Sequence, residues 1–346
     1  MTTTKDITSL VRKNILKMKP YSSARDEFKG IADVYLDANE SPYPSAYNRY
    51  PDPLQWSLKE GLSVIKGCSP SQIFLGNGSD EAIDLLLRAF CEPNQDSILL
   101  AEPTYGMYEV CANVNAVSIQ RVALTNDFDI DADNLLAATN ASTKIIFLCS
   151  PNNPSANLLS RQKIETILQK FDGLVVVDEA YIDFAETASF ISVLNKYENL
   201  VVLQTFSKAW GLAGLRLGMC FASALIIDIL NKIKYPYNVN IQTQRIALEA
   251  LQQKNTVARH VEEIKQQRTW LATELSTLTI VEKVYPSDAN FLLVQVTNPK
   301  AIYEALLQKG IIVRDRSHVR GCKNCLRITV GTPAENEVLL KELKKI

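Results

Sequence analysis

Residues Leu200–Gly218 read LVVLQTFSKAWGLAGLRLG. The run Leu200–Gln204 is suited to a strand buried on both faces, and it breaks into Thr205, Ser207 and Lys208 before a second apolar run starts at Leu217. Two upstream segments have the same form. Lys144–Cys149 (KIIFLC) runs into SPNNPSAN, and Leu174–Val177 (LVVV) runs into DEAY at Asp178–Tyr181. In open parallel sheets, ligands bind beyond the carboxyl ends of the strands. Asn153, Asp178, Tyr181, Ser207 and Lys208 are therefore expected to converge on one cleft, although they lie far apart in sequence.

Working outward, short apolar runs alternate with amphipathic stretches from Leu75 to Phe221. The runs are Ser97–Ala101, Lys144–Cys149, Leu174–Val177, Leu200–Gln204 and Leu217–Phe221; Asp80–Phe90 and Arg161–Lys170 read as helices between them. This alternation predicts an α/β domain, a mostly parallel sheet flanked by helices, over residues 36–235. Residues 1–35 are polar and weakly patterned and read as an N-terminal arm. The character changes near Tyr235-Pro236-Tyr237. A charged helical stretch from about Gln242 to Leu278 leads into strands at Asn290–Val296, Ile311–Arg314 and Leu326–Val330, with a helix near Lys300–Lys309. Residues 236–346 are thus expected to form a smaller α+β domain.

The 346 residues carry a net charge of −1 with a pI near 6.2, which gives no footing for nucleic acid or an anionic membrane as partner. The N-terminus lacks an apolar core of signal-peptide length, and no run approaches the ~18 apolar residues of a membrane span. A soluble cytoplasmic protein is expected. Cys91, Cys111, Cys149 and Cys220 lie in apolar segments, as small core residues of a reducing compartment do. Cys322 and Cys325 form a CxxC, for which a surface loop is favoured over a redox role because no thioredoxin-like segment surrounds the pair. With His260 and His318 the only histidines, no metal site is predicted.

The residues at the expected cleft have a chemistry in common. Lysine beside an apolar strand end is a candidate Schiff-base amine. Aspartate at the end of a buried strand can hold the proton of a pyridinium nitrogen, which makes pyridoxal 5'-phosphate an electron sink. Tyr181 and Asn153 could hydrogen-bond the ring hydroxyl. The segment GNGSDEAIDLLLRAF (Gly76–Phe90) offers a phosphate site, because Gly76 and Gly78 permit a tight turn and Ser79-Asp80 open a helix whose free N–H groups attract anions. Arg216 and Ser207 could complete it. A dinucleotide fingerprint fails here because Glu81 stands at the third glycine position. Singly, each feature has a plainer reading: a capped helix, a turn aspartate, a turn-forming asparagine. Their order and spacing together favour the cofactor site.

The segments LDANESPY, NRYPDP, GNGSDEAIDLLLRAFCEP, PTYGMY, SPNNP, VVVDEAYIDF, TFSKAWGLAGLRLG, GIIVRD and LRITVGTPAEN resemble the histidinol-phosphate aminotransferase branch of the aspartate-aminotransferase family, from about Val34 to the C-terminus. The resemblance implies that fold, with a seven-stranded large-domain sheet, and pyridoxal phosphate as cofactor. It implies that Lys208 bonds the cofactor and then shuttles a proton, with Asp178 and Tyr181 beside it in the catalytic set. Asp178 would pair with the ring nitrogen, Tyr181 and Asn153 would contact the ring hydroxyl, and Tyr105 would stack on the ring. Ser79, Asp80, Ser207 and Arg216 would hold the cofactor phosphate, joined by Tyr50 from a neighbouring subunit of a homodimer with shared sites. Arg327, Arg314, Tyr21, Asn39 and Asn153 would bind substrate. The implied reaction exchanges an amino group between L-histidinol phosphate and 2-oxoglutarate, giving imidazole acetol phosphate and L-glutamate. Rivals are an aromatic amino acid aminotransferase, a decarboxylase or lyase of phosphorylated amino acids, and a regulator built on the same fold. The regulator would need an added DNA-binding domain, for which the arm is too short. One departure is visible: Ser155-Ala156 stand where the family usually has Thr-Gly, and alanine takes a positive φ less easily, so a different local turn is expected.

Overall fold

The computed structural model describes residues 5–22, 30 and 32–346. Among these, a seven-stranded sheet is built from β1 (Ile73–Asn77), β2 (Ser97–Glu102), β3 (Ser118–Ala123), β4 (Thr143–Cys149), β5 (Leu174–Asp178), β6 (Leu200–Thr205) and β7 (Leu217–Ala222), in the order β1-β7-β6-β5-β4-β2-β3. β7 runs antiparallel to both its neighbours, and the pairs from β6 through β3 are parallel. The central strands are wholly buried, as their unbroken apolar runs require. Their alternating faces feed two cores. One takes Val175, Val177, Val202 and Phe221 with the helix Arg161–Lys170; the other takes Val176, Leu203, Phe147 and Cys220 with the helices Gly78–Phe90 and Ala224–Ile233.

A second, antiparallel sheet contains β8 (Val281–Val284), β9 (Phe291–Val296), β10 (Arg314–Asp315) and β11 (Cys325–Thr329), ordered β10-β11-β9-β8. β8 was not expected from the sequence. Only its end residues, Val281 and Val284, are partly buried, with Glu282 and Lys283 exposed between them, so it shows no apolar run. The strand expected at Ile311–Arg314 forms only at Arg314–Asp315.

Three further expectations change. The charged stretch expected as one helix is two, Ile241–Leu251 and Lys254–Ser276, separated at Gln252–Gln253. Val239, Ala247 and Leu251 pack into the large core, whereas Leu271 and Leu275 enter the core of the second sheet. The change of core therefore falls near residue 252 rather than 235. The arm also carries an anchor: Ile7 and Val11 are buried, the Arg12 N–H donates to Ala89 O, and Arg12 pairs with Glu92 at 3.2 Å. Finally, the CxxC is not a surface loop. Cys322 and Cys325 are buried with Phe128 and Leu293, and burial pushes their thiols up to about 11 and about 12, so neither is an exposed thiolate.

Candidate active site

The carboxyl ends of β4, β5 and β6 open on two contiguous cavities. The inner one, about 170 Å³, is lined by Gly78, Ser79, Asp80, Tyr105, Asn153, Asp178, Tyr181, Ser207, Lys208 and Arg216, among others. Every cofactor residue expected from the sequence except Tyr50 lies on it. The outer cavity, about 610 Å³, shares Tyr105, Asn153, Tyr181 and Lys208 and adds Arg327 and Arg316.

Local folding explains the convergence. β5 ends at Asp178, buried in line with the strand, and its Oδ1 accepts from the Ala180 N–H at 3.1 Å. After β6 the chain turns tightly. Ser207 N–H donates to Thr205 Oγ1, Phe206 N–H to Leu217 O and Gly211 N–H to Lys208 O, and together these fix the Lys208 backbone. Lys208 is open to cavity solvent, yet its surroundings still desolvate the ammonium and, with Arg327 nearby, lower its pKa; Asp178 opposes this. Its Nζ lies 5.5 Å from the Tyr181 ring centroid.

The backbone at the inner end of this cavity depends on two glycines. Gly78 (φ +73°) donates its N–H to Arg216 O at 2.7 Å, and a Cβ there would sit 2.9 Å from Arg216 Nη2. A Cβ on Gly218 of β7 would lie 2.1 Å from Gly78 C and Ser79 N. The strand thus presses against the start of the helix Gly78–Phe90, whose first N–H groups have no intrahelical acceptor. Arg216 Nη2 stands 3.7 Å from Asp80 Oδ2, and Tyr105 donates to Asp80 Oδ1 at 3.2 Å.

Tyr108 was missed by the sequence reading. It is fully buried, stacks on Phe147 at 4.6 Å, and donates its hydroxyl to Asp178 Oδ2 at 2.6 Å. Burial raises the Asp178 pKa to about 6, and the Tyr108 bond is the largest force holding it down. Its place in a helix, among other buried residues, gave only the signal of a core aromatic.

Ala156 has a φ of +72°, in the left-handed region that favours glycine. Its N–H donates to Asn152 O, its carbonyl accepts from the Asp288 N–H, and its methyl is buried against Tyr181 and Phe291, which offsets the strain. Asn153 Oδ1 accepts from Arg327 Nη1 at 2.6 Å, joining the end of β4 to β11.

The remaining expected residues stand outside both cavity linings. Arg314 is exposed on β10, paired in register with Arg327. Asn39 is exposed, with φ +54°. Tyr21 is 74% exposed in a surface hollow beside Tyr235 and Tyr237, and Tyr50 stacks on Tyr237 at 4.4 Å. Thus Tyr21 and Tyr50 do not reach the cavities of their own chain.

The family signature of aminotransferase class I and II matches residues 33–343. The histidinol-phosphate aminotransferase of Parabacteroides distasonis is 58% identical over 342 residues, covering 99% of each chain. Among solved structures, the histidinol-phosphate aminotransferase from Clostridium acetobutylicum superposes with a TM-score of 0.80 at 24% identity, covering 86% of this chain and 90% of the other. The one from Sinorhizobium meliloti, in complex with pyridoxal-5'-phosphate, gives a TM-score of 0.77 at 24% identity, with 86% and 82% covered.

Proposed function

The chain belongs to the class I and II aminotransferases, and from that premise we propose that it exchanges an amino group between L-histidinol phosphate and 2-oxoglutarate, with pyridoxal phosphate as cofactor. The observation that carries the reading is the convergence of Asp178, Lys208, Asn153 and Arg327 around joined cavities. The choice of amino donor is supported by the 58% identical relative.

The inner cavity fits the cofactor. It offers a buried carboxylate, an amine, and a helix N-terminus between two glycines where any Cβ would intrude. Ser79, Asp80, Ser207 and Arg216 would hold the phosphate, Tyr105 would cover a ring face, and Tyr181 and Asn153 would hydrogen-bond the ring hydroxyl. When bound, pyridoxal phosphate supplies an aldehyde for amines and an electron-withdrawing ring.

The chain's own residues do the rest. Asp178, sealed from water, keeps a proton on the ring nitrogen, while Tyr108 holds the carboxylate in place. Lys208 is the amine for covalent attachment. Its lowered pKa leaves more of it neutral, so once freed it can take a proton from the substrate Cα and return it. Arg327, fixed by Asn153, offers a guanidinium fork to a carboxylate or a phosphate, so one residue can serve both substrates of a ping-pong exchange.

Assembly as a homodimer is part of the proposal. Support comes from Tyr43, Tyr47, Tyr50 and Trp56, exposed together on the segment that precedes β1, and from Tyr50 standing outside its own cavities. A cytoplasmic location is also proposed, supported by seven free cysteines. Among the described residues, no helix is long and apolar enough to cross a membrane.

The test compares histidinol phosphate, phenylalanine and tyrosine as donors to 2-oxoglutarate, reading glutamate formed, with Lys208→Ala as the inactive control. Histidinol phosphate should give the highest kcat/KM. Preference for phenylalanine would make this an aromatic aminotransferase, and carbon dioxide release without an acceptor would make it a decarboxylase.

A further inference from the structure

Arg316 lines the outer cavity beside Arg327, and no role was assigned to it from the sequence. Arg314 and Arg327 are directly opposed across the antiparallel pair β10–β11. Directly opposed residues project to the same face, with Cβ atoms about 4.5–5.5 Å apart. The ladder continues past β10, because Arg316 N–H donates to Cys325 O at 2.8 Å. Two residues beyond Arg314, Arg316 shares its face. Three guanidinium groups therefore crowd one face of the small sheet.

Like charges opposed in a sheet are destabilising. The titratable neighbours acting on Arg327 are Tyr181 and Arg314; those acting on Arg316 are Arg327, Arg314, Cys322 and Tyr181, and burial keeps the tyrosine and the thiol neutral. No carboxylate is among them. Arg316 Nε is buried without a hydrogen-bond partner, as are Ser317 Oγ beside it and Thr104 Oγ1 across the same cavity. Buried donors without partners carry a desolvation cost that a ligand can repay. A dianion matches this arrangement better than a carboxylate, since two cations, Arg316 and Arg327, line the cavity and Arg314 adds its charge from the exposed side of the pair.

We propose that Arg316 is a specificity-determining residue that, together with Arg327, binds the distal phosphate of the amino donor in the outer cavity. This rests on the amino-donor reading above. Arg327 is tied to Asn153 and serves both substrates, whereas Arg316, with its Nε free, separates a phosphorylated donor from an unphosphorylated one.

The experiment uses holoenzyme, wild type and the variants Arg316→Met and Arg316→Lys. It measures kcat and KM for histidinol phosphate and phenylalanine, and inhibition by inorganic phosphate. Arg316→Met keeps the apolar stem and loses the fork. It should lower kcat/KM for histidinol phosphate about ten- to a hundred-fold, mainly through KM, as expected for one buried charge-assisted contact. Phenylalanine turnover and the bound-cofactor absorbance should stay near wild type. Inhibition by inorganic phosphate should weaken by a similar factor, and Arg316→Lys should recover part of both losses. Equal losses on both donors, or unchanged phosphate inhibition, would overturn the assignment. A wild type that ignores histidinol phosphate would sink the donor reading instead, while phosphate inhibition of the same variants would still report on Arg316.

Discussion

A carboxylate buried without a cation in contact leaves a measurable trace on the stability of the cofactor-free protein. Asp178 is fully buried, and its pKa rises from the ordinary 3.8 to about 6. A gap of about two on the pH scale corresponds to roughly 3 kcal/mol, at 1.36 kcal/mol per pH unit. The sign follows from proton binding. The folded state holds the proton more tightly than the unfolded chain, so this contribution is fully present below pH 3.8 and is lost as pH rises through about 6. Asp178→Asn removes the titration while keeping the shape. The variant's own hydrogen-bond losses add a constant offset, so the informative quantity is the stability difference between the two apoproteins as a function of pH. Measured by denaturant unfolding, wild type should fall relative to Asp178→Asn by roughly 3 kcal/mol between about pH 4 and pH 7, then level off. In Tyr108→Phe the 2.6 Å bond to Oδ2 is lost. A hydrogen bond to a charged group is worth roughly 1.5–3 kcal/mol, so the upper end of the window should move up by about one to two pH units. A difference that stays flat over this range, or that favours wild type as pH rises, would refute the claim that burial outweighs the hydrogen bonds at Asp178.

Two other outcomes follow from the geometry. Gly218→Ala places a methyl 2.1 Å from the start of the helix at Gly78–Ser79, so cofactor affinity, read by absorbance titration, should fall about ten-fold or more; unchanged affinity would show that the cradle does not depend on this close approach. Tyr50 lies outside its own chain's cavities, so sedimentation should show a dimer and Tyr50→Phe should weaken cofactor binding; a fully active monomer would remove the shared site.

Much of the inner site was legible because its residues sit where apolar runs stop. The ends of β4, β5 and β6 are marked in the sequence by Ser150, Asp178 and Thr205, and parallel strands carry their ends to one edge of the sheet. The helix after Gly78 was legible from its glycines and its amphipathic period. These are local signals, each contained within about a dozen residues of chain.

What the sequence could not decide depends on elements that meet only in the folded chain. Tyr108 reads as a core aromatic, and only the approach of its helix to β5 turns its hydroxyl onto Asp178. The core boundary falls near residue 252 because Ala247 and Leu251 pack against the large core, which no charge pattern reveals. Ala156 holds a glycine-like backbone because buried neighbours offset its strain. Arg314, Arg316 and Arg327 are three arginines in a charged stretch until β10 pairs with β11 in one register. That pairing sets them on a common face, because a one-residue slip would turn every side chain of one strand to the other side. Strand ends are written in the chain, whereas faces and registers are fixed by long-range packing.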